Sequence, residues 1–95
     1  MKVMVKFIGP FCHLMGVREI KLEAAEGLTL KQLLYLLDVR LGRVFSENIT
    51  EQIETNDKLR DLIHINGKTT VKNKGLDIEL KDGDIVSFLP PMAGG

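Results

Sequence analysis

The 95-residue chain has a single cysteine, Cys12, and an aromatic share of only 5%. A lone thiol excludes an internal disulfide framework and any Cys-x-x-Cys redox or zinc pattern within the chain. With only His13 beside it and His64 far along the sequence, a metal site lacks a ligand set, so Cys12 and both histidines are expected to be structural or incidental. An excess of one charge is missing too: Lys plus Arg and Asp plus Glu stand at 13 each. No basic stretch is interleaved with aromatics, so nucleic acid is not the expected partner. Long apolar runs are also lacking. The longest uncharged segment, Ile8 to Val17, is too short to span a bilayer, contains Gly9-Pro10 and follows no basic region with a cleavage site. A cytoplasmic protein with no membrane contact is the expectation. Catalytic signatures are absent as well: there is no nucleophile elbow, no P-loop and no His-Glu-x-x-His. The nine glycines are dispersed among turns instead of forming a phosphate cradle, so no bound cofactor is expected.

What remains is ordinary for one small domain, with 44% hydrophobic and 27% charged residues. A chain of this size buries about two-thirds of the surface it would expose unfolded, which leaves little room for a large internal cavity. Chemistry is then expected at the surface or on a partner.

From Lys2 to Ile8, apolar side chains alternate: Val3, Val5 and Phe7 share one face and Met4, Lys6 and Ile8 the other, the period of a strand. Gly9-Pro10 is read as its end, followed by a loop through Gly16. Arg18 to Leu22 alternates again, with Ile20 and Leu22 on one side, which predicts an antiparallel pair. The period then changes. Leu30, Leu33, Leu34, Leu37 and Leu41 form one stripe of an α-helix, capped by Thr29 with Gln32 completing a capping box and stopped by Gly42. Arg43 to Leu62 gives a weaker signal, with a second short helix over about Glu47 to Thr55. Its carboxylates at Glu47, Glu51, Glu54 and Asp57 are read as a solvated face.

Ile63 and Ile65 flank His64, and Asn66-Gly67 supplies two residues tolerant of positive φ, predicting a hairpin with a type I′ turn into Thr69 to Val71. A turn at Asp82-Gly83 leads to a last strand, Asp84 to Leu89, with Val86 and Phe88 on one face and Ile85, Ser87 and Leu89 on the other. These elements make an α+β roll of the β-grasp type, a mixed sheet with one main helix on one face and the first and last strands parallel at its centre. The helix leaves Met4, Ile85, Ser87 and Leu89 on an open face expected to be apolar enough to bind a partner. The whole chain is one domain, with residues 90–95 as a flexible tail.

That tail, Leu89-Pro90-Pro91-Met92-Ala93-Gly94-Gly95, follows the last strand directly. Two prolines fix φ and lack N–H donors, so they stop strand pairing and send the chain off the sheet. Pro90 to Gly95 can extend at most roughly 20 Å, enough to enter another protein's active site. Glycines without Cβ atoms fit a narrow channel and leave the final carboxylate uncrowded. That carboxylate is unreactive until activated, and adenylation by an ATP-using partner would give a mixed anhydride open to a sulfur, oxygen or nitrogen nucleophile. A frayed end is the plain alternative.

The stretch Gly75 to Gly95, "GLDIELKDGDIVSFLPPMAGG", resembles the end of the small subunit of molybdopterin synthase, the MoaD family of ubiquitin-like sulfur carriers. "KVMVKFIGPF", the capped leucine helix, "IHINGK" and "LKDGD" occur in that family's order, and Pro-Pro-x-x-Gly-Gly after a strand is the specific part. The resemblance implies that Gly95 is adenylated by an E1-like adenylating enzyme and then thiocarboxylated, with Gly94 as the flexible thread behind it. ATP is then consumed by that activating partner, sulfur comes from a sulfur donor protein, and the large subunit of molybdopterin synthase receives the tail. The implied partner-binding set is Phe7, Phe88, Leu89, Pro90, Pro91, Met92 and Ala93. The chain would be a co-substrate and no enzyme alone. The related thiamine-pathway carrier ThiS ends in Gly-Gly on the same fold, with a shorter chain and no Pro-Pro step. Other readings left open are a carrier for tRNA thiolation, a modifier attached to protein lysines, and a non-covalent binding module with an idle tail.

Overall fold

A computed structural model describes residues 1–55, 62–68 and 75–90. The described elements run β1 (Lys2–Phe7), α1 (Pro10–Met15), β2 (Glu19–Glu23), α2 (Leu30–Leu41), α3 (Arg43–Phe45), a wider π-type turn at Ser46–Thr50, α4 (Glu51–Thr55), β3 (Ile63–Ile65) and β4 (Ile85–Phe88). The strands form one mixed sheet in the order β2-β1-β4-β3. β1 pairs antiparallel with β2 and parallel with β4, and β3 pairs antiparallel with β4. This is the expected β-grasp roll.

Register explains the core. Val5 lies opposite Ile20 on one side and Val86 on the other, and Phe7 lies opposite Phe88, which in turn faces Ile63. Because side chains alternate across a strand, all of these point to one face. The α2 stripe covers that face, with Leu30, Leu33, Leu34 and Leu37 all buried. α2 starts as its sequence predicts: Thr29 Oγ1 accepts from the Gln32 N–H at 3.2 Å, and Gln32 Oε1 accepts from the Thr29 N–H at 2.9 Å. Gly42, at φ 76°, ends it. Thr29→Ala removes one arm of this box, and the expected loss is about 1 kcal/mol, measurable as a lower urea midpoint at unchanged m-value.

Two segments differ from expectation. The stretch between Gly9 and Gly16 is the short helix α1, not a loop. Pro10 occupies the first helical position, where its missing N–H costs nothing, and Gly16 caps the end in the left-handed conformation with its N–H on the Cys12 carbonyl. Phe11 and Met15, four residues apart, bury this helix against the core. The second helical region begins at Arg43, four residues ahead of Glu47, because Gly42 both ends α2 and opens α3. Phe45, Ile49 and Ile53 are fully buried there. Apolar residues spaced by four rotate steadily around an ideal α-helix, and the one wider turn between α3 and α4 offsets that rotation. Glu47, Glu51 and Glu54 are exposed, as a solvated face requires.

At the hairpin, Asn66 and Gly67 both take positive φ, 54° and 79°, and Ile65 bridges to Lys68. The expected continuation through Thr69 to Val71 lies outside the described residues, as do Asp57 and Leu59. The last strand spans Ile85 to Phe88, with Val86 and Phe88 buried and Ile85, Ser87 and Leu89 half-buried on the other side. The open face is more mixed than expected. Met4 and Ile85 pair at its centre, but Lys2, Lys6, Lys21, Glu19 and Glu23 flank them and His64 faces Ser87.

Candidate functional site at the end of the last strand

β4 is central in the sheet, and both neighbours hold it to its end. The Ile8 N–H donates to the Phe88 carbonyl at 3.0 Å, and the Leu89 N–H donates to the Leu62 carbonyl at 2.8 Å. The next residue, Pro90, has no N–H to offer, so the ladder stops there. Leu89 and Pro90 are half-buried. The Pro90 ring lies over Gly9: an added Cβ on Gly9 would stand 3.8 Å from Pro90 Cγ and 3.9 Å from Cδ. The chain therefore leaves the sheet from a defined root, where parallel β1 and β4 end side by side.

Pro91, Met92, Ala93, Gly94 and Gly95 lie outside the described residues. The other two members of the expected partner-binding set stand corrected. Phe7 is 3% exposed and Phe88 is 0% exposed. They stack on each other, centroids 5.5 Å apart, and each meets Phe45 edge-on. Closeness to the tail in sequence did not make them surface, because the strand period points both onto the helix-covered face. Neither offers area to a partner, and they support the tail root from inside.

Beside the root, Lys6, Phe7, Ile8, Gly9, Cys12, His13, Arg18 and Glu19 line a shallow notch of about 390 Å³, Phe7 with only the 3% of its surface that is exposed. Cys12 is a free, half-buried thiol. An Arg43–Glu47 ion pair at 2.8 Å belongs to the helical region. Among the described residues no group of three His, Cys, Asp or Glu could hold a metal ion, and no helix is long and apolar enough to cross a membrane. Sequence reading missed two parts of the root, the Leu62 carbonyl and Gly9. The signal for Gly9 was present in Gly-Pro, but its meaning depends on the parallel pairing that brings Pro90 onto it.

A profile of the ThiS family matches residues 5–95. A protein of Archaeoglobus fulgidus, provisionally named a sulfur carrier protein, is 34% identical over 71 residues, covering 75% of this chain and 78% of that protein. A solved structure from Pyrococcus furiosus, provisionally named subunit 1 of molybdopterin converting factor, superposes with a TM-score of 0.69 at 28% identity, covering 97% of this chain and 99% of that one. The Helicobacter pylori complex of subunits 1 and 2 of molybdopterin-converting factor contains a chain with a TM-score of 0.64 at 27% identity, and each chain is covered over 100%.

Proposed function

Because the chain belongs to the ThiS family of ubiquitin-like sulfur carriers, we propose that it is the sulfur-carrying small subunit of a molybdopterin synthase, loaded at Gly95. One observation carries the reading: β4 is held on both sides up to Leu89, Pro90 ends the ladder, and the sequence continues to a terminal Gly94-Gly95. Such a root lets the domain stay outside a partner while the chain end goes in. The molybdopterin branch draws support from the Pro90-Pro91 step and from the likeness to the Pyrococcus and Helicobacter subunits, the latter solved with its subunit 2.

The reacting group on this chain is its terminal carboxylate. A Gly95 carboxylate oxygen attacks the α-phosphorus of ATP in an E1-like partner, and pyrophosphate leaves. The outer sulfur of a donor-protein persulfide then attacks the acyl carbon, AMP leaves with the bonding electrons, and a second thiol attacks the donor's sulfur in the resulting acyl disulfide, so that a disulfide forms and the thiocarboxylate leaves. The resulting thiocarboxylate enters the large synthase subunit and gives its sulfur to the pterin precursor. ATP is consumed by the activating partner, the catalytic residues belong to the partners, and this chain is their shared co-substrate.

Incubation with an E1-like enzyme, ATP and a sulfur donor is expected to raise the intact mass by the difference between one sulfur and one oxygen atom. No such species, under conditions that load a known carrier, would refute the reading. Isopeptide-linked Gly-Gly remnants on lysines of other proteins would assign the activated tail to protein modification instead.

A further inference from the structure

We propose that Gly9 is a positioning residue for the C-terminal tail, the seat against which Pro90 turns the chain out of the sheet; the inference rests on the carrier reading above. β1 and β4 run parallel, so they finish at the same edge, with Phe7 opposite Phe88 as the last register pair. Beyond that pair, hydrogen bonds fix Ile8 to the Phe88 carbonyl and Leu89 to the Leu62 carbonyl. Pro90 has no N–H for a further bond. Its placement follows from the covalent link to Leu89, and its ring lies on the side of Gly9 where a Cβ would project, within 3.8 Å of that position.

Gly9 has φ 60° and ψ −134°, a conformation that residues with a Cβ rarely adopt. In that conformation it turns β1 into α1, and its carbonyl accepts from the Cys12 N–H at 3.0 Å. The space above it is not the constraint, since the nearest Pro90 carbon would sit 3.8 Å from an added Cβ, an ordinary contact. The constraint is the backbone itself. Alanine at this position favours negative φ, which swings the Gly9-Pro10 peptide and shifts the surface on which Pro90 rests.

Pro90 is the first residue past the ladder, so a shift of its seat moves the point from which the rest of the chain starts toward a partner. Reactions between held partners are sensitive to a misplacement of about 1 Å, so the step that suffers is the turnover of bound carrier, not its docking.

The test is sulfur loading by the activating enzyme, followed as kcat and as KM for the carrier, in the full-length chain. Gly9→Ala is expected to lower kcat about tenfold with KM within about twofold. Gly16→Ala is the control: Gly16 has φ 73°, sits at the other end of α1 and has nothing within 4 Å of an added Cβ. It is expected to turn over like the wild type. Pro90→Ala is expected to lower kcat as Gly9→Ala does, and it carries the test if Gly9→Ala does not fold. The double variant is expected to be no slower than the slower single variant, because both act through one contact. Equal rates for Gly9→Ala and Gly16→Ala, or losses that multiply in the double variant, overturn this inference while leaving the carrier reading intact. Failure of the wild-type chain to load overturns the carrier reading and this inference with it.

Discussion

Deleting Gly94 and Gly95 abolishes sulfur loading and leaves the thermal transition of the domain where it is in the full-length chain. The two halves of this expectation come from different parts of the molecule. Among the described residues the buried core runs from Val3 to Phe88. Glycine has no side chain to bury, so removing Gly94 and Gly95 is expected to change stability by no more than about 0.5 kcal/mol. The carboxylate is still present after the deletion, but it now sits on Ala93, two residues nearer the root and carrying a Cβ. A shorter and bulkier end fails to reach and fit a channel suited to glycine. Loading by the activating enzyme falls below detection, while docking of the domain is only weakened. A non-covalent binding module with an idle tail would be untouched by the deletion, so preserved function in the truncated chain would contradict the carrier account.

Phe45→Ala is the second large effect, and it acts on stability. Phe45 is fully buried, with its ring centroid 6.2 Å from Phe7 at 72° and 5.5 Å from Phe88 at 88°. Edge-to-face contacts of this kind add to what burial alone contributes. The residue also joins the α3 region to the two central strands directly beneath the tail root. Truncation to alanine is expected to cost about 3–5 kcal/mol, against a total of about 5–15 kcal/mol for a domain of ordinary stability. Urea unfolding followed by circular dichroism measures this as a lowered midpoint at unchanged m-value. A loss below about 1 kcal/mol would show that the three-ring cluster is not packed as described. Phe88→Leu, which keeps the site apolar, is expected to cost less and to leave partner binding in place, because Phe88 presents no surface.

The parts of the fold legible in the sequence were those fixed by local chemistry. Alternation of Val3, Val5 and Phe7 defines β1, the Thr29 and Gln32 pair marks the start of α2, and Asn66-Gly67 sets the hairpin turn. Each depends on residues within a few positions of one another. Gly9-Pro10 was harder, because the same dipeptide ends a strand and starts a helix. Only the buried pair Phe11 and Met15 decides that α1 follows. The onset of α3 was obscured by Gly42, which reads as a helix stop and in the fold both ends α2 and opens α3.

The candidate site divides along the same line. The terminal glycines and the proline step are visible in the sequence itself, and so is the strand that precedes them. The surroundings of the root are not, since they depend on long-range register. Parallel pairing of β1 with β4 puts Gly9 under Pro90 and buries Phe7 against Phe88, and neither consequence follows from the residues near the tail alone.

The position of the sulfur after loading separates a carrier tail from a reactive thiol. The chain offers two places for it, the terminal carboxylate and the free Cys12 thiol. A thiocarboxylate exchanges one oxygen for one sulfur, whereas a persulfide on Cys12 adds a sulfur and loses nothing, so the two differ in intact mass before any fragmentation. Fragmentation mass spectrometry of the loaded chain is predicted to place an oxygen-to-sulfur exchange on Gly95 and to find Cys12 unmodified. Sulfur added at Cys12, with an unchanged C-terminal fragment, would contradict the account.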